Sequence, residues 1–489
     1  MARILRRTVA SVALLSSVAV GLAADAPAAP VRAAQAVSPF DDQNVFCKAH
    51  TAPAGRRNAS SPGVTANAIN VTDMSIDTAA LRRLGVDQMD FNQAFKAFWG
   101  EVNKCGGING RRINFKSALY NPIAPDLAGH QQAICLEATE DHKAFVVVEI
   151  GAPQNSNIGR CVSVNHKTIF NGPVAMLAKD FADAKGRLIS IYPAGDRMAA
   201  GFIADGHRQG IFKGKKIGVL GTQTSATAAA EQEEQFVDGL KKKGYDVESF
   251  EILPCQGTVC SQGVGSAITR MRNRGVNLVV MSHYVSITSI GQIFREMRNQ
   301  GLRAPVHGPS TAALHADSVM PNFIRAAGSD GAQAALNGWY AYNFVEVQNA
   351  WRTGQAKETA VAKMCNATLA KALNQRVYRF NEDDISSGRW LSTGNVCVQV
   401  RDIARAIWSL GANVTTERMV AALRTQNETD QRMTGPDFRA KKWFMDRDVS
   451  PASVSVSKFA FPCPLPRVIQ GNACFLPEDR PARVRRITY

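Results

Sequence analysis

The chain has 489 residues, of which 45% are hydrophobic, and it carries a formal net charge of +16 at pH 7. A chain of this length is too long for one compact core, so two or three lobes are expected. The apolar fraction is ordinary for a globular protein and excludes a wholly disordered chain.

The N-terminus is typical of a secretory signal peptide. Three arginines precede an apolar run from Val9 to Ala24, which is shorter than the roughly 20 residues that span a bilayer. We therefore expect residues 1–36 to be a cleaved signal peptide and the mature chain to be soluble, secreted or associated with the cell envelope. No cysteine occurs before Cys47, so no lipid-modified cysteine is visible. Residues 37–63 are rich in Ala, Pro and Ser and are predicted to be a flexible segment.

Strands and helices alternate from Val64 onwards. Phe91, Phe95, Phe98 and Val102 recur at helical spacing and predict the buried face of a helix. Short apolar strands and amphipathic helices then follow one another to Ser190. This order predicts βαβ units, with a parallel sheet covered by helices on both faces.

A second alternating series begins near Tyr192, so the fold class is α/β with two doubly wound parallel-sheet lobes. The helices after about Gly338 do not form a third series and must add to one of the two lobes. We predict a first lobe of residues 64–190 plus 338–446 and a second of residues 191–337 plus 447–462. The remainder, 463–489, is predicted to be a Cys-containing basic tail.

Ten cysteines follow the predicted signal peptide, and an even number in an exported chain favours disulfides. The pairs Cys255/Cys260 and Cys463/Cys474 are near enough to close local loops, and Cys365/Cys397 could link two segments of one lobe. The connectivity stays open. No short paired spacing or histidine cluster is typical of a metal site, so no metal is predicted.

The glycine-rich stretch NKCGGINGRRINF, residues 103–115, follows a predicted helix and leads into a predicted strand. Phosphate-binding loops have the opposite order, because they open a helix. The stretch therefore predicts a helix stop and a tight turn. Arg111 and Arg112 are expected to face solvent at the start of the strand.

No catalytic constellation is recognisable, so the protein is predicted not to be an enzyme, and no cofactor is predicted. The eight histidines show no paired spacing for a metal. His283 and Tyr284 follow a buried strand and could line a cleft, although a structural role for His283 is equally compatible with the pattern.

The positive charge is strong, and Lys213, Lys215, Lys216 and residues 241–243 lie at helix ends and turns. An anionic cell envelope is a more plausible partner than nucleic acid, and a solvated surface charge with no single partner is favoured over both. No nucleic-acid partner is predicted, and the protein is expected to be a monomer.

In doubly wound sheets, ligands bind beyond the carboxyl ends of the strands. The loops at these positions are rich in small, hydroxyl and amide residues, which suit hydrogen bonding to a small solute.

The stretch FNQAFKAFWGEVNKCGGINGRRINFKSALYNP resembles the first helix, turn and second strand of type I periplasmic binding proteins, the group that feeds amino acids and amides to ABC importers. FVVVEIGAPQN, KTIFNGPVA and KKIGVLG continue the resemblance. It implies two lobes joined by three crossing strands, with the ligand held in the cleft between them. The crossings are expected near Ile191, near residues 338–344 and near residues 443–446.

Members of this family that bind amino acids hold the carboxylate with hydroxyl groups and the ammonium with an acidic residue. This chain departs at those places: it has Ala175-Met176 at the Ala-Thr position and Ser310 at the usual glutamate. A neutral or less charged solute is thus at least as plausible as an α-amino acid. The predicted ligand contacts are Ser75, Asp77, Gln154, Asn155, Ala175, Tyr284, Ser310 and Tyr342.

The leading hypothesis is a secreted solute-binding protein that captures a small molecule, such as an amino acid or amide, for an ABC permease. The alternative is a ligand sensor or envelope interaction protein with the same bilobal fold, since fold does not fix function.

Overall fold

The computed structural model describes residues 37–51, 57–83, 88–151, 156–172, 176–190, 194–223, 227–255, 262–283, 285, 287–310, 328, 340–343, 358–379, 384–425, 452–460, 463–464, 474–477 and 485–487. Two parallel sheets organise these residues, as the alternation of elements predicts. The first has the strand order β2-β1-β3-β4-β5, and every pairing in it is parallel. Its strands are β1 (Ala68–Asp73), β2 (Arg112–Ser117), β3 (Val146–Val148), β4 (Ile169–Asn171) and β5 (Leu188–Ile189).

The second sheet has the order β12-β11-β10-β9-β8-β6-β7, with β13 paired to β11. Pairings from β7 to β10 are parallel, whereas β11 runs antiparallel to its neighbours. Its strands are β6 (Ile217–Gln223), β7 (Val247–Pro254), β8 (Leu278–Met281), β9 (Val306–Ser310), β10 (Tyr340–Asn343), β11 (Ala452–Ala460), β12 (Cys474–Pro477) and β13 (Arg485–Ile487).

Helices connect and cover these strands. The helices between strands of the first sheet are α1 (Thr78–Arg83), α2 (Phe91–Lys104), α3 (Leu127–Leu136), α4 (Ser156–Arg160) and α5 (Ala178–Ala184). The second sheet is preceded by α6 (Gly195–Arg208), and the helices between its strands are α7 (Ala228–Gln232), α8 (Gly239–Lys241), α9 (Val264–Asn273) and α10 (Ile287–Asn299). Three π-helical segments continue α3, α4 and α7, at Glu137–Asp141, Cys161–Asn165 and Glu233–Asp238.

Helix α2 shows how the sequence pattern becomes packing. The side chain of Asp90 accepts a hydrogen bond from the backbone N–H of Gln93 and so caps the first turn. Phe95 and Phe98 are fully buried, as the helical spacing predicts, and they join the core of the first lobe.

Three later helices, α11 (Ala360–Leu373), α12 (Asp384–Ser409) and α13 (Thr416–Thr425), pack on the first lobe. Their buried side chains, among them Trp390 and Val396, share one core with α2 and β1. No helix in the described ranges is long and apolar enough to cross a membrane.

The second of the three expected crossings, near residues 338–344, contains a strand of the second sheet. Tyr340–Asn343 falls in the stretch assigned to the first lobe, yet it pairs in parallel with β9 and belongs to the second sheet. The strand extends the open edge beside β9, where its N–H and C=O groups find partners, and only the helices after it join the first lobe. The crossings expected near Ile191 and near residues 443–446 lie outside the described residues.

The glycine-rich stretch forms the predicted turn, with one correction. Gly107 has φ +74° and Ile108 is fully buried, so the helix stops where expected. Arg111, however, is fully buried instead of facing solvent. Its guanidinium donates hydrogen bonds to the carbonyls of Thr65 and Ala412, at 2.8 and 2.6 Å, which satisfies backbone groups that would otherwise be unpaired. Arg112 is exposed as predicted.

Residues 38–50 are a second correction, because the sequence analysis placed them in a flexible segment. Phe40 is fully buried and Phe46 nearly so in the core of the first lobe. Arg401, on α12, donates to the carbonyls of both residues. Alanine and proline content predicted flexibility, but the two aromatic side chains and this arginine fix the segment.

Three disulfide bonds cross-link the first lobe: Cys47–Cys105, Cys135–Cys161 and Cys365–Cys397. The last confirms the link inferred from sequence, and the first ties residues 38–50 to the end of α2. Cys255 and Cys463 are also disulfide-bonded. His166 lies close to the Cys135–Cys161 pair, but the bridged sulfurs are not thiolates and do not form a zinc site.

Residues 474–477 and 485–487, which the sequence analysis treated as part of a basic tail, form strands. β12 and β13 both pair antiparallel with β11, so the end of the chain extends the second sheet.

Candidate functional site

The carboxyl ends of β1, β3 and β4 meet at one edge of the first sheet. Ser75 lies directly beyond β1 and is fully buried. Its Oγ accepts a 2.9 Å hydrogen bond from the N–H of Ile150, which lies beyond β3, and its own N–H donates to Asp73 Oδ1 at 2.8 Å. The predicted contact Ser75 thus joins two strand ends and shapes the edge from inside.

Asp77 lies two residues further on and is half-buried. Its N–H donates to the carbonyl of Tyr120, and its Oδ1 accepts from the N–H groups of Ala79 and Ala80 at the start of α1. One carboxylate oxygen therefore caps this short helix. The structure places Asp77 at the predicted edge, next to the loop that follows β2.

Asp73 is a buried carboxyl that the sequence analysis did not single out. Its Oδ2 accepts from Asn92 Nδ2 at 2.8 Å, and the same amide nitrogen lies 2.6 Å from Ser117 Oγ. Burial, opposed by the hydrogen bonds from Ser75 and Asn92, raises the pKa of Asp73 to about 6. The network joins β1, α2 and β2 directly under the Ser75 loop.

Glu149 is a second carboxyl missed by the sequence analysis. It follows β3, is fully buried, and its N–H donates to the carbonyl of Asn171 at 3.0 Å. A Cβ on Gly172 would lie 2.6 Å from Glu149 Oε2, so the carboxylate occupies space that only a glycine leaves. A glutamate directly after a buried strand and a glycine after the next strand are the sequence signals of this arrangement.

In the second lobe, Gln232 connects the carboxyl ends of β6 and β8. Its Oε1 accepts from Ser282 Oγ at 2.5 Å, and its Nε2 donates to the carbonyl of Thr222 at 2.9 Å. All three residues are buried. This glutamine fixes the loops that the sequence analysis selected, but its own position inside a helix gave no signal.

His283 follows β8 and is buried, with 4% of its surface exposed. Burial lowers its pKa to about 3, so the imidazole is neutral at physiological pH. Its ring centroid lies 5.7 Å from that of Phe236, which belongs to the core of the second lobe. Of the two interpretations of His283, this packing favours the structural one.

The structure describes only some of the other predicted ligand contacts. Gln154, Asn155, Ala175 and Tyr284 lie outside the described residues. Ser310 ends β9 and is register partner to Asn343, and Tyr342 is the preceding residue in β10. The backbone therefore places Ser310 at the carboxyl edge of the second sheet, with Tyr342 beside it.

A groove of about 500 Å³ lies where the start of α5 meets α6 and α7. Its lining includes Ala200 and Ile203, and two further lining residues form an ion pair, with Lys179 Nζ 3.7 Å from Glu231 Oε1. The lining also includes Lys242 and Lys243, which follow α8, and the ion pair connects α5 of the first lobe with α7 of the second.

Two parallel sheets with helices between their strands, and polar loops at the carboxyl edge of each, define the type I periplasmic-binding-protein fold. The chain has this fold, as the resemblance in its sequence implies.

Solved structures with the same architecture are substrate-binding proteins of ABC transporters. A fatty-acid ABC transporter substrate-binding protein from Thermomonospora curvata matches with a TM-score of 0.54 and 16% identity, over 90% of this chain and 99% of that one. A solute-binding protein from R. palustris in complex with 4-hydroxybenzoate matches with a TM-score of 0.52 and 12% identity, over 84% and 96%.

A leucine-binding protein from Thermotoga maritima matches with a TM-score of 0.50 and 11% identity, over 84% and 97%. No protein-family model and no curated protein matches the chain. At these identities the similarity is one of fold.

Proposed function

We propose that this protein is an exported solute-binding protein, which captures a small molecule between its lobes and delivers it to an ABC permease. The observation that carries the proposal is the pair of parallel sheets whose carboxyl edges bear buried, hydrogen-bonded polar residues. Such edges bind ligands in doubly wound folds. The architectural neighbours, whose names refer to leucine, 4-hydroxybenzoate and fatty acids, support a binding function without chemistry on the ligand.

The ligand contacts would come from both lobes. Ser75 and Asp77 hold the edge of the first sheet, and Ser310 and Tyr342 stand at the edge of the second. Gln154, Asn155, Ala175 and Tyr284 complete the proposed set. Buried Asp73 and Glu149 lie behind the edge of the first lobe. Two carboxyl groups there make a free anion a poor ligand and favour a neutral or weakly charged solute such as an amide.

A thermal-shift screen tests the binding function. The panel should hold amino acids, amides, urea-like solutes, aromatic acids and fatty acids. A ligand at 100 times its Kd stabilises the folded state by about 2.7 kcal/mol and so raises the melting temperature. If no member of the panel raises it, the solute-binding proposal loses its support.

Two substitutions then locate the site. Ser75→Ala removes the acceptor for the Ile150 N–H, and we expect it to weaken binding at least tenfold. Ser163→Ala is the matched control, because Ser163 is also fully buried and its Oγ donates a hydrogen bond to the carbonyl of Gly159. It lies in the segment before β4 and not beyond the carboxyl end of a strand. Tyr284→Ala should abolish the shift. Equal affinities in the Ser75 and Ser163 variants would contradict the site.

Uptake separates delivery to a permease from sensing. Cells that lack this protein should take up the radiolabelled ligand several times more slowly, and the intact gene should restore uptake. Unchanged uptake together with confirmed binding would favour the sensor instead.

A further inference from the structure

The amino ends of the parallel strands in the second lobe carry a concentration of positive charge. The turns before β6, β7, β8 and β9 comprise residues 211–216, 241–246, 272–277 and 298–305. They hold ten basic residues: Lys213, Lys215, Lys216, Lys241, Lys242, Lys243, Arg272, Arg274, Arg298 and Arg303. All ten are exposed. We call this set the basic face.

Hydrogen bonds between the turns show that the basic face is continuous. The N–H of Lys216 donates to Asn277 Oδ1 at 2.8 Å, which joins the first turn to the third. Arg274 Nη1 donates to the carbonyl of Glu248 at 2.9 Å, at the start of β7. Arg272 Nη1 donates to the carbonyl of Gln300 at 3.2 Å in the fourth turn. Residues that are scattered along the sequence therefore form one surface.

Few negative charges oppose the basic face. The four turns contain one carboxylate, Asp246, and Glu248 follows in β7. A cation near the C-terminus of a helix stabilises the helix by interacting with its dipole. Lys241, Arg272 and Arg298 lie within the last turns of α8, α9 and α10. Lys242 and Arg274 are the C-cap residues of α8 and α9. The other five lie past the C-caps, beyond the last helical turn where the dipole acts. Helix stabilisation therefore does not account for half of this charge.

The shape of the basic face suits a planar partner. Adjacent strands are about 4.8 Å apart, so four neighbouring strands extend roughly 15 Å in one direction. The charges also spread perpendicular to the sheet. Helices cover both of its faces, so the cations that follow α8 and those that follow α9 and α10 lie on different sides of the strands. A two-dimensional array matches an anionic bilayer surface, whereas a linear polyanion is held by a groove.

The side chains of the four turns are also compatible with a protein that adsorbs to a membrane surface without inserting into the bilayer. Phe212 and Tyr245 are the aromatic residues there, and their rings pack together with centroids 5.3 Å apart. They are therefore not available to stack on bases, as single-stranded nucleic acid would require. The exposed large hydrophobic residues of the described chain, Val37, Val45 and Val377, lie elsewhere.

We propose that the basic face binds electrostatically to a membrane surface rich in anionic phospholipid. In this orientation the amino ends of the second sheet meet the headgroups, and the loops at the carboxyl edge point away from them. The ligand site thus stays accessible while the protein is held at the membrane. The interaction does not depend on the identity of the ligand.

Vesicle flotation tests the proposal with the protein purified after export, so that every variant has the same N-terminus. Vesicles of phosphatidylcholine alone are compared with vesicles containing 30% phosphatidylglycerol. The basic-face variant is K213Q/K215Q/K241Q/K243Q, and the control is R83Q/K96Q/K363Q/K371Q, which removes four exposed cations from the first lobe. Circular dichroism and melting temperature show that both are folded.

We expect binding to the anionic vesicles only, with at least tenfold weaker binding of the basic-face variant and less than threefold weaker binding of the control. Binding should disappear at 0.5 M NaCl, where the Debye length falls well below 10 Å. Equal losses in the two variants would overturn the proposal, because they would show a response to net charge alone. Tighter binding to a DNA 20-mer than to vesicles at equal phosphate concentration would also overturn it.

Discussion

Arg401 Nη1 donates a 2.6 Å hydrogen bond to the carbonyl oxygen of Phe46, 355 residues earlier in the chain. The same guanidinium donates to the carbonyls of Phe40, Asp42 and Val45, at 2.6, 2.7 and 2.8 Å. Arg401 is fully buried, so this cation is stabilised by backbone dipoles within the core. One side chain of α12 thereby fixes the segment that precedes the first strand.

Replacing this arginine should destabilise the first lobe. Arg401→Met keeps the aliphatic packing but leaves four carbonyls without this donor, in two buried and two part-buried hydrogen bonds. We expect a loss of about 3 kcal/mol in the free energy of unfolding. The control is Arg418→Met, because Arg418 is exposed and bonds one carbonyl, that of Asn413. Urea denaturation measures both. Similar small losses would mean that the buried guanidinium contributes little.

The Cys47–Cys105 disulfide secures the same segment from its other end. It closes a sequence separation of 58 residues, for which the chain-entropy model gives about 4 kcal/mol. Cys47→Ala/Cys105→Ala should lower the free energy of unfolding by up to that amount and increase hydrogen exchange in residues 38–50. Cys365→Ala/Cys397→Ala is the comparison, since it should leave exchange of that segment unchanged. Equal protection in all three proteins would contradict a local role.

The fold was predictable because it depends on periodic patterns. Phe95 and Phe98 repeat at helical spacing, and the alternation of apolar strands with helices defines both sheets. Arg401 and Arg111 were not predictable, because their partners are backbone carbonyls distant in sequence. Hydrophobicity assigns an arginine to the surface unless its acceptors are known, and backbone acceptors leave no mark in the sequence.

For the candidate site, the sequence predicted the carboxyl edge of the sheet but not all the residues that build it. The carboxyl-end rule selected the loop with Ser75 and Asp77, and the structure places both there. It did not reveal Asp73 or Gln232, because they act through hydrogen bonds between neighbouring elements. A polar residue inside a strand or helix becomes informative only when the residues around it are known.

Asp73 should make stability depend on pH. Its pKa is about 6 in the folded chain and 3.8 in the unfolded one, so the folded state retains a proton in this range. The contribution of Asp73 is therefore greatest below pH 4 and declines as the pH rises through 6, by about 3 kcal/mol in total. Relative to wild type, Asp73→Asn should become more stable by about 2 kcal/mol between pH 4 and pH 7.5, since the rest of the change lies below pH 4.

Urea denaturation across that pH range measures the difference, with exposed Glu233→Gln as the control. If the difference between wild type and Asp73→Asn stays constant with pH, the carboxyl does not titrate in this range.

His283 should have the opposite effect in the second lobe. Its pKa is about 3 when folded and 6.5 when unfolded, so the unfolded state takes up a proton first. Its stabilising contribution is present above pH 6.5 and declines as the pH falls towards 3. Between pH 6.5 and 4.5 wild type should lose about 2 kcal/mol relative to His283→Gln.

The two effects oppose each other between pH 4 and pH 6, so wild type alone can show little net pH dependence there. Only the variants Asp73→Asn and His283→Gln, each measured alone, separate the two contributions. His166→Gln is the control, since His166 is partly exposed. Parallel pH profiles for wild type and His283→Gln would contradict the buried, neutral imidazole.

Two glycines near the end of α2 should respond in opposite directions to the same substitution. Gly107 has φ +74°, and a Cβ there would lie 2.2 Å from the carbonyl oxygen of Arg111, so Gly107→Ala must strain or move the turn that leads into β2. Gly100 lies inside α2 with no atom near the position of a Cβ. Gly100→Ala should therefore raise the free energy of unfolding by up to about 1 kcal/mol through helix propensity. Gly107→Ala should lower it by more than 1 kcal/mol, since an unfavourable positive φ is added to a backbone clash. Thermal denaturation compares both variants with wild type, and a neutral result for Gly107→Ala would show that the turn relaxes without the left-handed conformation.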